Sequence, residues 1–112
     1  MQAWQVLEYG MAPVRVEIAP PAPAKGEIVL RVEAVGLNFA DMLAIQGKYQ
    51  VRQAPPFIPG MELSGVVEAL GPDVGGPAIG TRVLATCPSG ALAERICLPA
   101  HRVCALPGTM GF

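Results

Sequence analysis

The sequence predicts a mainly β domain with one short helix, and three observations carry that prediction. The 13 glycines and 12 prolines fall mostly between short runs rich in Val, Ile and Leu, the punctuation of strands joined by tight turns in a barrel or sandwich. Several of those runs alternate apolar with polar residues, a period of two that belongs to strands. Only residues 38–46 carry helix start and stop signals around a longer apolar pattern. At 112 residues the chain can enclose one hydrophobic core, and it is too short for two ordinary domains.

Residues 4–8 and 14–18 read as a first strand pair around Tyr9-Gly10. In the second of them Val14, Val16 and Ile18 alternate with Arg15 and Glu17, so one face should be buried. Pro20-Pro21-Ala22-Pro23 cannot donate a run of backbone hydrogen bonds and forms an extended connector, which Lys25-Gly26 turns into the next strand. Across residues 27–35, Ile28, Leu30 and Val32 face the core, with Val29, Arg31 and Glu33 opposite and mostly toward solvent. Gly36 ends the strand.

The helix over residues 38–46 opens on Asn38 as its N-cap, carries Phe39, Met42, Leu43 and Ile45 as apolar positions, and closes at Gly47. A proline-rich loop then leads into a strand over residues 61–70. Gly65 interrupts that strand, and a strand-interior glycine marks a bulge or the close approach of another backbone or a ligand. Gly71-Pro72-Asp73 and Gly75-Gly76-Pro77 build a turn-rich loop. Residues 81–86 and 91–98 read as strands on either side of a Pro88-Ser89-Gly90 turn, and residues 102–106 as a last short strand before Pro107-Gly108. No repeat and no internal domain boundary is visible.

Composition narrows the functional classes. Apolar residues make up 52% of the chain and charged residues only 15%, a balance that leaves some apolar surface to be covered by a partner. No run approaches the roughly 20 apolar residues that span a bilayer, and the first residues lack the basic and apolar regions of a secretory signal, so a soluble, cytoplasmic protein is expected. A net charge of −1 without a basic block provides no footprint for nucleic acid. Cys87, Cys97 and Cys104 are odd in number and widely spaced, which fits neither a disulfide framework nor the close pairs of a structural zinc site. They read as reduced, buried thiols. No basic group stands near Cys87 in sequence to activate it.

A specific constellation carries function. Gly36-Leu37-Asn38-Phe39-Ala40-Asp41, Gly47-Lys48-Tyr49 and Pro56-Phe57-Ile58-Pro59-Gly60-Met61-Glu62-Leu63-Ser64-Gly65-Val66-Val67 occur in one order, followed by Gly80-Thr81-Arg82-Val83 and Leu98-Pro99-Ala100-His101-Arg102-Val103. Together they resemble the amino-terminal half of the medium-chain dehydrogenase/reductase superfamily, and within it the quinone oxidoreductase (zeta-crystallin-like) branch. The resemblance extends over nearly the whole chain. It implies a GroES-like, partly open β-barrel over residues 1–112 and a following Rossmann domain. The nicotinamide of NADPH would lie in a cleft between the two. The parent would be a homodimer.

Zinc-dependent members of that superfamily carry Cys, Ser or Thr, and His where this chain has Asn38, Ala40 and Met61. An amide and a thioether are poor substitutes for thiolate and imidazole on Zn²⁺, so no metal is expected. Without a Lewis acid an alcohol is hard to oxidise. A quinone or an activated enone, by contrast, can take hydride when donors and positioning suffice. The resemblance makes Asn38, Asp41 and Tyr49 the candidate catalytic residues, with Asn38 also one wall of the cofactor site.

Each candidate has a plainer role. Asn38 with Asp41 has the form of an N-cap with its acidic partner, and the cap can also face the cleft. Tyr49 either packs its ring on the barrel or turns its hydroxyl to substrate. Glu62 is expected to be a structural anion paired with an Arg or with backbone N–H groups. His101 falls in a turn away from the cleft residues and reads as a surface histidine. The chain has no Gly-x-Gly-x-x-Gly turn, so the main cofactor site lies outside it and the 112 residues alone should be inactive. Two alternatives stay open: a freestanding GroES-like binding module, or a related reductase with another substrate, as in trafficking-associated relatives and polyketide enoyl reductases.

Overall fold

All 112 residues are described in the computed structural model. Seven strands and one α-helix follow in the order β1 (Gln2–Gln5), β2 (Val14–Glu17), β3 (Glu27–Gly36), α1 (Phe39–Ile45), β4 (Glu62–Leu70), β5 (Arg82–Thr86), β6 (Arg95–Pro99) and β7 (Val103–Ala105), with a 3₁₀ turn over Ala100–Arg102 between the last two. β1 and β2 form a two-stranded antiparallel sheet, and the rest form a five-stranded sheet in the order β6-β3-β4-β5-β7. Isolated bridges tie the first strand and the residue after it to the loops that precede β6 and β4, Ala3 to Ala93 and Val6 to Phe57, without closing the two sheets into one, so the expected mainly β, partly open architecture with one helix is what forms.

β3 is long because its Ile, Val and Leu run serves two neighbours, pairing with β4 along Ile28–Gly36 and with β6 along Glu27–Arg31. Ile28, Leu30, Val67 and Val83 are essentially inaccessible to solvent, and Leu63, Ala85, Ile96 and Leu98 complete the core around them. Val29, read as facing outward, is buried as well. The β3–β4 register shifts between Val29 and Leu30 and again between Val32 and Ala34. These bulges bend the pair.

Gly65 lies between them, paired with Val32. A side chain there would run into the Arg31 carbonyl oxygen of β3, which is the close backbone approach its position in a strand suggests. Across the same sheet Arg95 Nε of β6 donates to Glu68 Oε2 of β4 at 2.5 Å. That bond holds the Glu68 carboxyl below its ordinary range.

Several local expectations are corrected. The first strand covers Gln2–Gln5 rather than residues 4–8. β2 does not bury a face: Val14 is exposed and Val16 only half-buried, because a two-stranded ribbon offers no second layer for it to pack on. The strands on either side of Pro88-Ser89-Gly90 do not pair with each other. β5 pairs with β4 and β7, whereas β6 crosses to the far side of β3. Glu62 forms neither an ion pair nor a hydrogen bond; its side chain is exposed and covers Gly36, where an added Cβ would collide with it. Of the three free cysteines only Cys87 is buried, with Cys97 half-buried and Cys104 exposed.

Candidate functional site

The helix start is built as the sequence suggests. Asn38 is extended (φ −122°, ψ 164°) and is the N-cap of a capping box with Asp41. The Asn38 backbone N–H donates to Asp41 Oδ2 at 2.8 Å. Asp41 is only 2% exposed, and its other oxygen, Oδ1, is buried with no partner in the chain. Asn38 is exposed. The apolar residues around it do not point inward: Leu37 is 69%, Phe39 77% and Met42 56% exposed, while the helix buries Asp41 and Ala44. An apolar strip therefore borders the N-cap at the surface, larger than scattered single apolar residues would give.

Tyr49 sits elsewhere. It is half-buried and lines a cavity of about 250 Å³ together with Val51, Met61, Thr86, Cys87 and Arg102. Its hydroxyl makes no hydrogen bond within the chain. The loop carrying it is pinned by Tyr9, a residue that sequence reasoning read only as part of a turn. The Tyr9 ring lies against Gly47, whose φ of +71° and lack of a Cβ both allow the contact. The Tyr9 hydroxyl donates to the Gln53 carbonyl at 2.5 Å, and the Arg52 guanidinium stacks 5.0 Å from the ring centre.

The opposite wall comes from the turn after β5. The Cys87 backbone N–H donates to the Met61 carbonyl at 2.8 Å, the Cys87 thiol lies 3.5 Å from the Gly60 carbonyl, and the Ser89 hydroxyl bonds the Ile58 carbonyl. Gly60, at φ +106°, permits this seam; a Cβ there would meet Ala91 and the Leu92 nitrogen. Burial pushes the Cys87 thiol above its ordinary range, although the Ser89 N–H and the Arg102 charge both favour its thiolate. Cys97 is also raised, first by burial and then by the Glu27 carboxylate. Alkylation followed by mass spectrometry is accordingly expected to modify Cys104 first, Cys97 more slowly and Cys87 last. Early labelling of Cys87 would contradict this environment.

The structure joins Asn38 to Asp41, while Tyr49 lines a cavity whose lining does not include that pair, although the Asp41 charge reaches Cys87 of the lining. His101 is exposed, as expected of a surface histidine. Its turn is nevertheless not remote, because the next residue, Arg102, lines the Tyr49 cavity. Arg102 was missed by sequence reasoning, and nothing local in Ala100-His101-Arg102 could have signalled it. Three or more His, Cys, Asp or Glu side chains cluster nowhere in a way that could hold a metal ion. The helix, seven residues long, is too short to cross a membrane.

Comparison with known proteins gives consistent results. Residues 24–108 match the family described as the alcohol dehydrogenase GroES-like domain. The chain is 45% identical over 94 residues to the mouse synaptic vesicle membrane protein VAT-1 homolog-like, covering 84% of this chain and 22% of that protein. The crystal structure of the human VAT-1 homolog-like protein superposes with a TM-score of 0.96 at 39% identity, over 100% of this chain and 37% of that one. The quinone oxidoreductase from Thermus thermophilus, solved alone and as its NADPH complex, gives a TM-score of 0.87 at 44% identity, over 99% of this chain and 34% of that one. The chain therefore spans between about a fifth and two fifths of the length of these relatives.

Proposed function

Because the chain belongs to the alcohol dehydrogenase GroES-like domain family, among the quinone oxidoreductases and VAT-1 proteins of the medium-chain dehydrogenase/reductase superfamily, we propose that it is the substrate-side domain of a zinc-independent, NADPH-dependent oxidoreductase that reduces quinones or activated enones. The observation that carries the reading is Tyr49, a hydroxyl with no partner in the chain, lining a cavity of about 250 Å³. Such a donor can meet the negative charge that develops on an acceptor oxygen during hydride transfer.

Bound NADPH would supply the hydride. Its phosphates must be held outside these residues, since none of the 13 glycines stands in a Gly-x-Gly-x-x-Gly turn. A Rossmann domain further along the parent chain is the partner we assign. The exposed Asn38 at the capped helix start, bordered by Leu37 and Phe39, gives this chain one wall for the nicotinamide side, with Asp41 fixing the Asn38 backbone from beneath. The apolar strip fits a surface covered by another domain, and the part-length match to the relatives agrees with that.

Zinc independence rests on the donor set. Asn38 and Met61 offer an amide and a thioether, which do not replace thiolate and imidazole on Zn²⁺. The cytoplasmic address and homodimeric parent expected from the sequence belong to the same proposal, and the 112-residue domain alone should be inactive.

The test is NADPH oxidation by the full-length protein with para-benzoquinone and with a simple enone, before and after chelation, alongside elemental analysis. Turnover that survives chelation in protein lacking zinc is expected. Stoichiometric zinc, or activity lost on chelation, would refute the zinc-free reading; absence of turnover with both acceptors would refute the reductase reading.

A further inference from the structure

Arg102 is the one charged side chain lining the Tyr49 cavity, and none of the chain's ion pairs involves it. The nearby buried carboxylate, Asp41, is engaged with the Asn38 backbone N–H and pairs with no cation. The position of Arg102 is set by backbone on both sides: the Ala100 N–H donates to the Gly26 carbonyl at 3.0 Å and the Leu106 N–H to the Arg82 carbonyl at 2.9 Å. Arg102 is thus an exposed residue that lines the same cavity as Tyr49, whose hydroxyl has no hydrogen-bond partner in the chain. Val51, Met61 and Pro88 give the rest of the lining a largely apolar character.

We propose that Arg102 is a specificity residue that selects small acceptors carrying an anionic group, a carboxylate above all, beside the reducible carbonyl. The inference deepens the reductase reading and rests on it for the reaction, though not for binding. A guanidinium grips a carboxylate by two parallel N–H···O bonds, stronger than neutral hydrogen bonds. Arg102 can bind a substituent while Tyr49 meets the carbonyl oxygen. A short enone acid is small enough to be held by the wall that this open cavity of about 250 Å³ supplies.

The experiment uses the full-length enzyme and two pairs of probes. The first pair is β-acetylacrylate and its methyl ester, which share the reducible enone and differ in charge. The second is levulinate and its methyl ester, which cannot be reduced at a double bond and report binding alone, by calorimetry. In the wild type we expect kcat/KM to favour the acid over the ester, and levulinate to bind more tightly than its ester, each by on the order of ten-fold or more. Arg102→Ala should abolish both preferences while leaving the two esters unchanged, and Arg102→Lys should retain part of them.

If the esters and acids are turned over alike, and levulinate binds no better than its ester, the proposal is overturned while the reductase reading stands. If neither enone is reduced but levulinate still binds through Arg102, the reductase reading falls and the anion site remains.

Discussion

Replacing Gly65 with valine is expected to cost the domain on the order of 3 kcal/mol or more of folding stability, a large fraction of what a domain this size can hold. Gly65 sits in β4, paired with Val32 of β3, and any Cβ would press on the Arg31 carbonyl and the Val32 Cα. Those are backbone atoms at the centre of the five-stranded sheet. A flexible side chain could swing aside, but here relief would require the two strands to part, with Leu30 and Val67 of the core moving as well. Gly75 supplies the control, because a Cβ there meets nothing within 4 Å, and Gly75→Ala should stay within about 0.5 kcal/mol of wild type. Urea denaturation of both variants reads the difference. A Gly65→Val midpoint equal to that of wild type would show that the sheet can open at this point at little cost.

The second large effect concerns the reaction. In the full-length enzyme Tyr49→Phe should lower kcat by roughly a hundred-fold with a small change in KM, since the ring and its packing stay and only the hydroxyl leaves. That hydroxyl bonds nothing in the chain, so the folding stability of the variant should match wild type within about 0.5 kcal/mol. This separates the chemical role from the structural one: a ring that only packs against the barrel would leave kcat intact after loss of the hydroxyl. An unchanged kcat would remove Tyr49 from the reaction and leave Asn38 as the remaining donor.

Features that depend on near neighbours were legible in the sequence. The Asn38–Asp41 capping box, the helix stop at Gly47, the long β3 and the close approach at Gly65 each arise from a few consecutive residues, and each forms where expected. Features that depend on which strands meet were not. The strands on either side of Pro88-Ser89-Gly90 could be read as strands but not paired, because alternation describes a strand and says nothing of its partner, and β6 pairs with β3. The surface position of Phe39 and Met42 escaped for a related reason. Their spacing is that of a helix face seeking apolar cover, and these 112 residues do not supply it.

The site divides along the same line. Asn38 and Asp41 are three residues apart and were found as a pair. Tyr49, Met61, Cys87 and Arg102 come from four separate segments brought together by the seam between the Gly60 loop and the Cys87 turn. Only assembled, they show a cation beside a tyrosine.

The strand order β6-β3-β4-β5-β7 also governs the time course of assembly. Residues 95–99 must find residues 27–31 after two intervening strands have formed on the other flank, and residues 103–105 must then return to the opposite edge. During synthesis the β3–β4 pair can form early, yet β3 keeps an unpaired edge until nearly the whole domain has emerged from the ribosome. Such non-local closure belongs to slow-folding topologies, and the open edge of an Ile-Val-Leu strand is a ready template for mispairing with another nascent chain. Demand for chaperone protection should therefore be greatest in the interval between completion of β4 and arrival of β6.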